Sequence, residues 1–217
     1  MVIFDWDGTL CDSTHHIVAS VQTASREMGL PVPSDEAAAD IIGLGLPEGM
    51  ARLFPEVPEG RRIDLAQTYS RHYVANESDT PELFPGALET LHQLRDRGLE
   101  LAIATGKSRR GLNRILAKMD LTGFFEATRC ADETRSKPHP LMIHELMEER
   151  EVPAERVVMV GDTEYDLEMA VNAGVASVGV SFGVHSVERL QAHQPVAIVD
   201  ELPQLLDLPA LSRAHQP

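Results

Sequence analysis

The apolar pattern of the chain changes period twice. Val2-Ile3-Phe4 is uniformly apolar and runs directly into Asp5-Trp6-Asp7-Gly8-Thr9. A short apolar run bounded by turn residues predicts a buried strand. From residue 13 to residue 80 the apolar positions recur every three or four residues instead. Ile17, Val21, Ala24 and Met28 define a helix over 14–28, with Asp12-Ser13 as its N-cap pair and Gly29 as its stop. Ser34-Asp35-Glu36 opens a second helix that Gly43 ends, and Pro47 fits the first turn of a third over 48–54. A longer helix is predicted over 60–76, and no strand is expected anywhere in 13–80.

After Leu83-Phe84-Pro85-Gly86 the period changes again, and helices alternate with apolar runs. Helices are predicted over 87–97, 108–119, 140–150, 165–173, 187–191 and 202–206. Strands are predicted over 99–104, weakly around 125–129, and over 157–160, 175–180 and 196–199. The tail, 209–217, is expected to fray. Alternation of this kind implies an α/β fold with a mostly parallel sheet covered on both faces. The all-helical block then interrupts the sheet unit after its first strand.

Composition narrows the partners. A net charge of −15 disfavours nucleic acid and anionic membrane surfaces, though a local site can still receive an anion. No apolar run approaches the roughly 20 residues of a spanning helix. Residues 1–10 do not have the form of a signal peptide, so a cytoplasmic location is expected. Cys11 and Cys130 fit free thiols better than a disulfide framework. The nine histidines have no zinc spacing.

The chemistry concentrates where apolar runs end. Asp5 and Asp7, one residue apart at the end of a strand, face the same side. Burying two carboxylates requires a counter-charge, which a hard cation such as Mg²⁺ would supply. Asp-x-Asp-Gly also opens calcium loops, but residues 9–16 lack the further ligands such a loop needs. Thr105 and Gly106 follow a second run, and Asp162 follows a third. Ligands of open parallel sheets bind outside the carboxyl ends of the strands, so these groups can meet in one crevice. Ser136-Lys137-Pro138-His139-Pro140 brings an ammonium toward them.

Four segments resemble, in order, the four motifs of the haloacid dehalogenase superfamily: Asp5-Trp6-Asp7-Gly8-Thr9, Thr105-Gly106, Lys137-Pro138, and Gly161-Asp162-Thr163 with Asp166. The resemblance covers essentially the whole chain and is nearest to the phosphoglycolate phosphatase-like branch. It implies a Rossmann-like core over 1–12 and 82–217, with an inserted all-helical cap domain over 13–81. It also implies a Mg²⁺-dependent phosphatase acting on a small phosphorylated metabolite, phosphoglycolate-like, with a sugar-phosphate mutase as the alternative. Asp5 would be the nucleophile. Asp7 would be the general acid and base, its pKa raised by the neighbouring carboxylate. Thr105 and Gly106 would bind the phosphoryl group, and Lys137 would neutralise it. The metal would be held by Asp5, Asp162 and the backbone carbonyl of Asp7, with Asp166 orienting Lys137 or a metal-bound water. Gly43 and Leu44, in the Gly43-Leu44-Gly45-Leu46 turn, match the specificity loop of the cap, although an ordinary helix-to-helix turn is equally consistent.

The remaining features have simpler readings. Trp6 should point away from the site. Lys107, Arg109 and Arg110 are expected to be solvated, as is Arg52, the other reading of which is a substrate carboxylate. The acidic run 145–151 reads as a solvated helix face. His139 is expected to help start a helix. The chain is expected to act as a monomer or homodimer.

Overall fold

The computed structural model describes residues 1–75 and 82–212. Six parallel strands form the central sheet: β1 (Val2–Phe4), β4 (Leu101–Thr105), β5 (Ala127–Cys130), β6 (Val158–Gly161), β7 (Ala176–Val180) and β8 (Ala197–Val199). Their order across the sheet is β5-β4-β1-β6-β7-β8. The order reverses at β1, which lies between β4 and β6 with Ile3 opposite both Ala102 and Met159. A reversal of this kind opens a crevice at the carboxyl ends of the strands.

Both faces of the sheet are buried, which is why its strands read as continuous apolar runs rather than alternations. Val2, Phe4, Leu101, Ile103, Val158 and Val160 enter one core. Ile3, Ala102, Ala104 and Met159 enter the core on the other face. Five helices connect the strands: α5 (Ala87–Asp96), α6 (Arg109–Lys118), α7 (Leu141–Arg150), α8 (Glu164–Ala173) and α9 (Val187–Gln191).

Between β1 and α5 lie four helices with their own apolar cluster. They are α1 (Thr14–Glu27), α2 (Asp35–Ala39), α3 (Leu46–Leu53) and α4 (Glu59–Ala75). Ile17, Val21, Ala24, Ile42, Met50 and Leu65 pack together at their centre. This third core accounts for the helical period of the segment.

Several local expectations need correction. The helical layer is not joined to the sheet by plain linkers. β2 (Cys11–Asp12) and β3 (Glu82–Leu83) pair antiparallel, Cys11 opposite Leu83, at the two points where the chain crosses. Two-residue strands carry no readable period, so the sequence does not announce them. Ser13 occupies the N-cap position of α1, but its hydroxyl makes no capping bond; it donates to Asp7 Oδ1 instead. α2 stops at Ala39, and turns carry the chain on to Gly43. The closing helix is a 3₁₀ segment, Leu202–Asp207. The tail is anchored further than expected, because Leu211 is buried in the sheet core; residues 213–217 lie outside the described ones.

Candidate active site

β1, β4 and β6 end side by side, and the chemistry-bearing residues follow directly from them. Asp5 continues β1 and donates its N–H to Val160 O at 3.0 Å, tying it to β6. Its side chain is buried. Trp6, one residue on, points the other way into the core, edge-on to Phe125. Lys137 reaches in from the loop before α7. Its Nζ lies 2.8 Å from Asp5 Oδ1 and 2.6 Å from Asp166 Oδ1. Asp166 is held in turn by Thr163, whose N–H and hydroxyl both donate to Asp166 Oδ2, at 3.1 and 2.7 Å. The same exchange forms the capping box of α8. A cap motif thereby fixes the carboxylate that orients the lysine.

Asp162 sits at the centre of a tight backbone cradle. Thr9 Oγ1 donates to its Oδ1 at 2.8 Å, and Val184 N–H donates to its Oδ2 at 2.9 Å. Gly8 has φ +82°, and a Cβ there would lie 2.3 Å from Asp162 Oδ2. Glycine is therefore required on both conformational and steric grounds.

Asp5, Asp162 and Asp166 present carboxylate oxygens within 4.8 Å of one another, all buried. Lys137 is the ammonium that answers them. Asp5 Oδ2 is buried with no hydrogen-bond partner among the described residues. Burial raises the pKa of Asp5 well above the ordinary range, against the pull of Lys137 and with the push of Asp166 and Asp162. Burial and the Asp166 charge likewise push Asp162 up to about 7. Burial opposes the charge of Lys137, but Asp166 and Asp5 outweigh it and hold its pKa high. Three clustered carboxylates facing one ammonium, with an oxygen left unpartnered, fit a hard divalent cation such as Mg²⁺.

Asp7 does not share this cluster. The clustering expected for it falls instead on Asp162 and Asp166 around Asp5. Its carboxylate pairs with Lys107 Nζ at 2.9 Å and accepts from Ser13 Oγ. Lys107 is thus not solvated: its side chain is nearly buried, also contacting Tyr73 OH at 3.2 Å. Asp7 outweighs burial in setting its charge, with Tyr73 and Tyr69 adding to the effect, so its pKa rises. The sequence shows a lysine after Thr105-Gly106, but its partners come from residues 7 and 73, which no local pattern connects to it.

Thr105 is buried at the end of β4 and accepts from Lys107 N–H at 3.2 Å. A Cβ on Gly106 would lie 2.4 Å from Leu44 O and 2.7 Å from Gly43 O. The Gly43-Leu44-Gly45-Leu46 turn therefore touches the sheet unit directly. Gly45 N–H also donates to Ser136 Oγ at 2.7 Å. Asp5, Asp7, Gly43, Leu44 and Gly106 line one cavity of about 590 Å³ between the helical layer and the sheet.

Most of the other polar candidates find structural partners. Arg52 pairs with Asp40 at 3.2 Å and lies over the ring of Tyr165. Arg109, expected in solvent, is partly buried and binds Glu133 and Thr128. Arg110 is exposed, as expected, on the flank of the cavity. In the acidic run, Glu145 and Glu149 each pair with Arg129 at 2.7 Å. His139 Nδ1 accepts from Leu141 N–H at the start of α7, the helix-starting role expected of it. Both cysteines are free and buried. No helix among the described residues is long and apolar enough to cross a membrane.

A reversed parallel sheet with aspartates, a lysine and a cavity at its carboxyl edge defines an α/β enzyme-type site. The model of the haloacid dehalogenase-like hydrolase family matches residues 2–180, and the chain belongs to that family. It is 35% identical to the protein named "Probable phosphatase IndB" of Dickeya dadantii (strain 3937), over 95% of this chain and 91% of that one. It is 29% identical to a phosphoglycolate phosphatase of Vibrio parahaemolyticus, over 98% of this chain and 96% of that one. The crystal structure of a hydrolase from Pseudomonas syringae superposes with a TM-score of 0.87 at 22% identity, covering 95% of each chain; at that identity the likeness is one of fold.

Proposed function

We propose that this protein is a Mg²⁺-dependent phosphatase that hydrolyses an organic phosphate monoester through an aspartyl-phosphate on Asp5. The observation that carries the reading is the position of Lys137, clamped between Asp5 and Asp166 beside an unpartnered Asp5 oxygen at the head of a cavity. Membership of a hydrolase family and relatives named as phosphatases support it.

Asp5 attacks phosphorus, forming one P–O bond as the ester P–O bond breaks. Asp7 gives a proton to the departing alkoxide, then takes one from the water that attacks the acyl phosphate. Inorganic phosphate leaves and Asp5 is restored. Lys137 faces the negative charge on the nucleophile and the phosphoryl oxygens throughout, and Asp166 keeps it in place. Thr105 and the Gly106 amide hydrogen-bond a phosphoryl oxygen. Asp5, Asp162 and the Asp7 backbone carbonyl would hold a Mg²⁺, which would supply the positive charge that lets anion approach anion.

Residues 13–81 serve as a cap over a core of 1–12 and 82–217, and the Gly43–Leu44 turn closes the site against water. Residues 76–81 of that cap lie outside the described ones. The relatives named phosphoglycolate phosphatase make that compound the reference ester.

The test is phosphate release from a panel of esters, with and without Mg²⁺, using the parent protein and Asp5→Asn. Mg²⁺-dependent release that vanishes in Asp5→Asn is expected. Isomerisation of a sugar phosphate without net phosphate release would replace this reading with a mutase. Absence of both would overturn the enzyme reading.

A further inference from the structure

The cavity beside Asp5 and Asp7 has a shape and a lining that say more about the ester than the motifs do. Its volume of about 590 Å³ is in the range that encloses drug-sized ligands. A phosphoryl group and a two-carbon alcohol would leave most of that space to water.

The walls are mixed, with apolar surface the larger share. Ile17, Val21, Ile41, Ile42 and Met50 face the cavity from the helical layer. Tyr69 and Tyr73 add two rings from α4, tilted 41° to each other with centroids 5.8 Å apart. Lys107 Nζ lies over one face of Tyr73, 4.9 Å from its centroid, and His16 packs edge-on to it, so the remaining aromatic surface and the aliphatic wall gain most from a flat or bulky hydrocarbon surface.

The charges agree with this. Lys107 lines the cavity, but Asp7 holds it at 2.9 Å. Arg71 is paired with Glu27 at 2.7 Å. Arg110, also on the lining, is exposed, and Arg114 lines the cavity near Tyr69 and is itself already engaged within the protein. A short acid would bring its carboxylate into the apolar interior beside a lysine whose charge is already matched, at a desolvation cost. A longer alcohol fills the interior with carbon and keeps any polar group of its own at the flank.

We infer that the preferred substrate is a phosphate monoester whose alcohol half is bulky and largely apolar or aromatic, held between the α4 tyrosines and the aliphatic wall of the helical layer, rather than a two-carbon hydroxy acid. The inference rests on the phosphatase reading above and names its substrate class.

Naphthylethyl phosphate, ethyl phosphate and phosphoglycolate test it. All three release a primary alcohol, so differences in kcat/KM report the cavity more than leaving-group reactivity. In apolar pockets a single methylene can change kcat/KM by roughly tenfold or more. The naphthyl ester is therefore expected to exceed both others by at least about tenfold.

Val74→Trp and Ser70→Trp place an indole at the mouth of the cavity. Both residues line it and are exposed on α4, so the fold should tolerate the change. Each variant is expected to lower the ratio of naphthylethyl to ethyl phosphate kcat/KM by about tenfold.

Phosphoglycolate turned over as well as or better than the naphthyl ester would overturn the inference and leave the phosphatase reading standing. A naphthyl preference that neither variant changes would overturn the assignment to this cavity. Release from no ester would overturn the phosphatase reading, and the substrate class with it.

Discussion

Asp7 and Lys107 show how one side chain at this site depends on another. The lysine is nearly buried, and the carboxylate it meets is the proposed general acid and base. Replacing it with an apolar residue leaves Asp7 with the Ser13 hydroxyl as a side-chain partner and frees it to turn away. Lys107→Met is expected to lower kcat by roughly 10–100-fold, in line with partial loss of general acid–base catalysis, with the far-UV circular dichroism unchanged. An unchanged kcat would place Lys107 outside the machinery. Gly106 is constrained from the opposite direction. A methyl group there would press on the carbonyls of Gly43 and Leu44, and backbone cannot yield as a flexible side-chain end can. Gly106→Ala is expected to displace the turn and lower kcat/KM by about tenfold or more, because small misplacements of a positioned substrate are costly. A crystal structure of the variant would show the turn moved.

At the scale of elements, the end of α2 is tied to the sheet unit by charge. Asp40 Oδ1 receives Arg189 Nη1 at 2.6 Å and lies 3.5 Å from His185 Nε2, while its Oδ2 meets Arg52 at 3.2 Å. Tyr165 OH donates to Asp40 O at 2.7 Å. Arg189 also grips Glu164 beside Asp162. Burial tends to raise the Asp40 pKa, but the Arg189 hydrogen bond and the charges of Arg189 and Arg52 outweigh it and hold the carboxyl below its ordinary range. A depressed carboxylate stabilises the folded state fully above its unfolded value, near 3.8, and loses that contribution as pH falls through the lower folded value. Because the group is partly exposed, the network is worth on the order of 1 kcal/mol. Asp40→Asn is expected to lower Tm by about 2–4 °C at neutral pH. The gap to the parent protein should close below about pH 3.8. A constant gap across pH would mean that the effect is packing rather than charge.

At the scale of the whole molecule, three buried carboxylates, Asp5, Asp162 and Asp166, face the ammonium of Lys137. A cation bound only by the folded chain stabilises it by mass action, about 2.7 kcal/mol at a hundred times its Kd. For a chain of this size that is a rise in Tm of roughly 5–10 °C. Saturating Mg²⁺ is expected to produce such a rise in thermal scans, and a chelator to reverse it together with any phosphate release. Asp162→Asn should abolish the rise. A Tm indifferent to Mg²⁺ in the parent protein would remove the metal from the proposal.

Much of this was legible in the chain itself. Parallel strands buried on both faces have to be continuous apolar runs, so β1, β4, β6 and β7 could be seen, and the helical period of 14–75 could be seen because one side of each helix is buried. The aspartates, Thr105 and Gly106 stood out because polar residues at the ends of such runs require a reason. One helical turn does not link Asp166 to Asp162, which precedes the Thr163 N-cap of α8; the capping box of that helix brings Asp166 to the site. Other features depend on residues far apart in sequence, whose approach no local period encodes. The β2–β3 ribbon joins residues 11–12 to 82–83, and the Lys107 charge is matched by Asp7 across nearly half the chain. The cavity is bounded by two layers that pack separately, so its volume and its apolar wall exist only once they meet. The sequence by itself determined the fold class and the family and pointed to the candidate reactive groups, because these follow from local period and short motifs. Only the tertiary structure decided which charges are paired and how large a cavity opens beside Asp5, because both are set by contacts between distant segments.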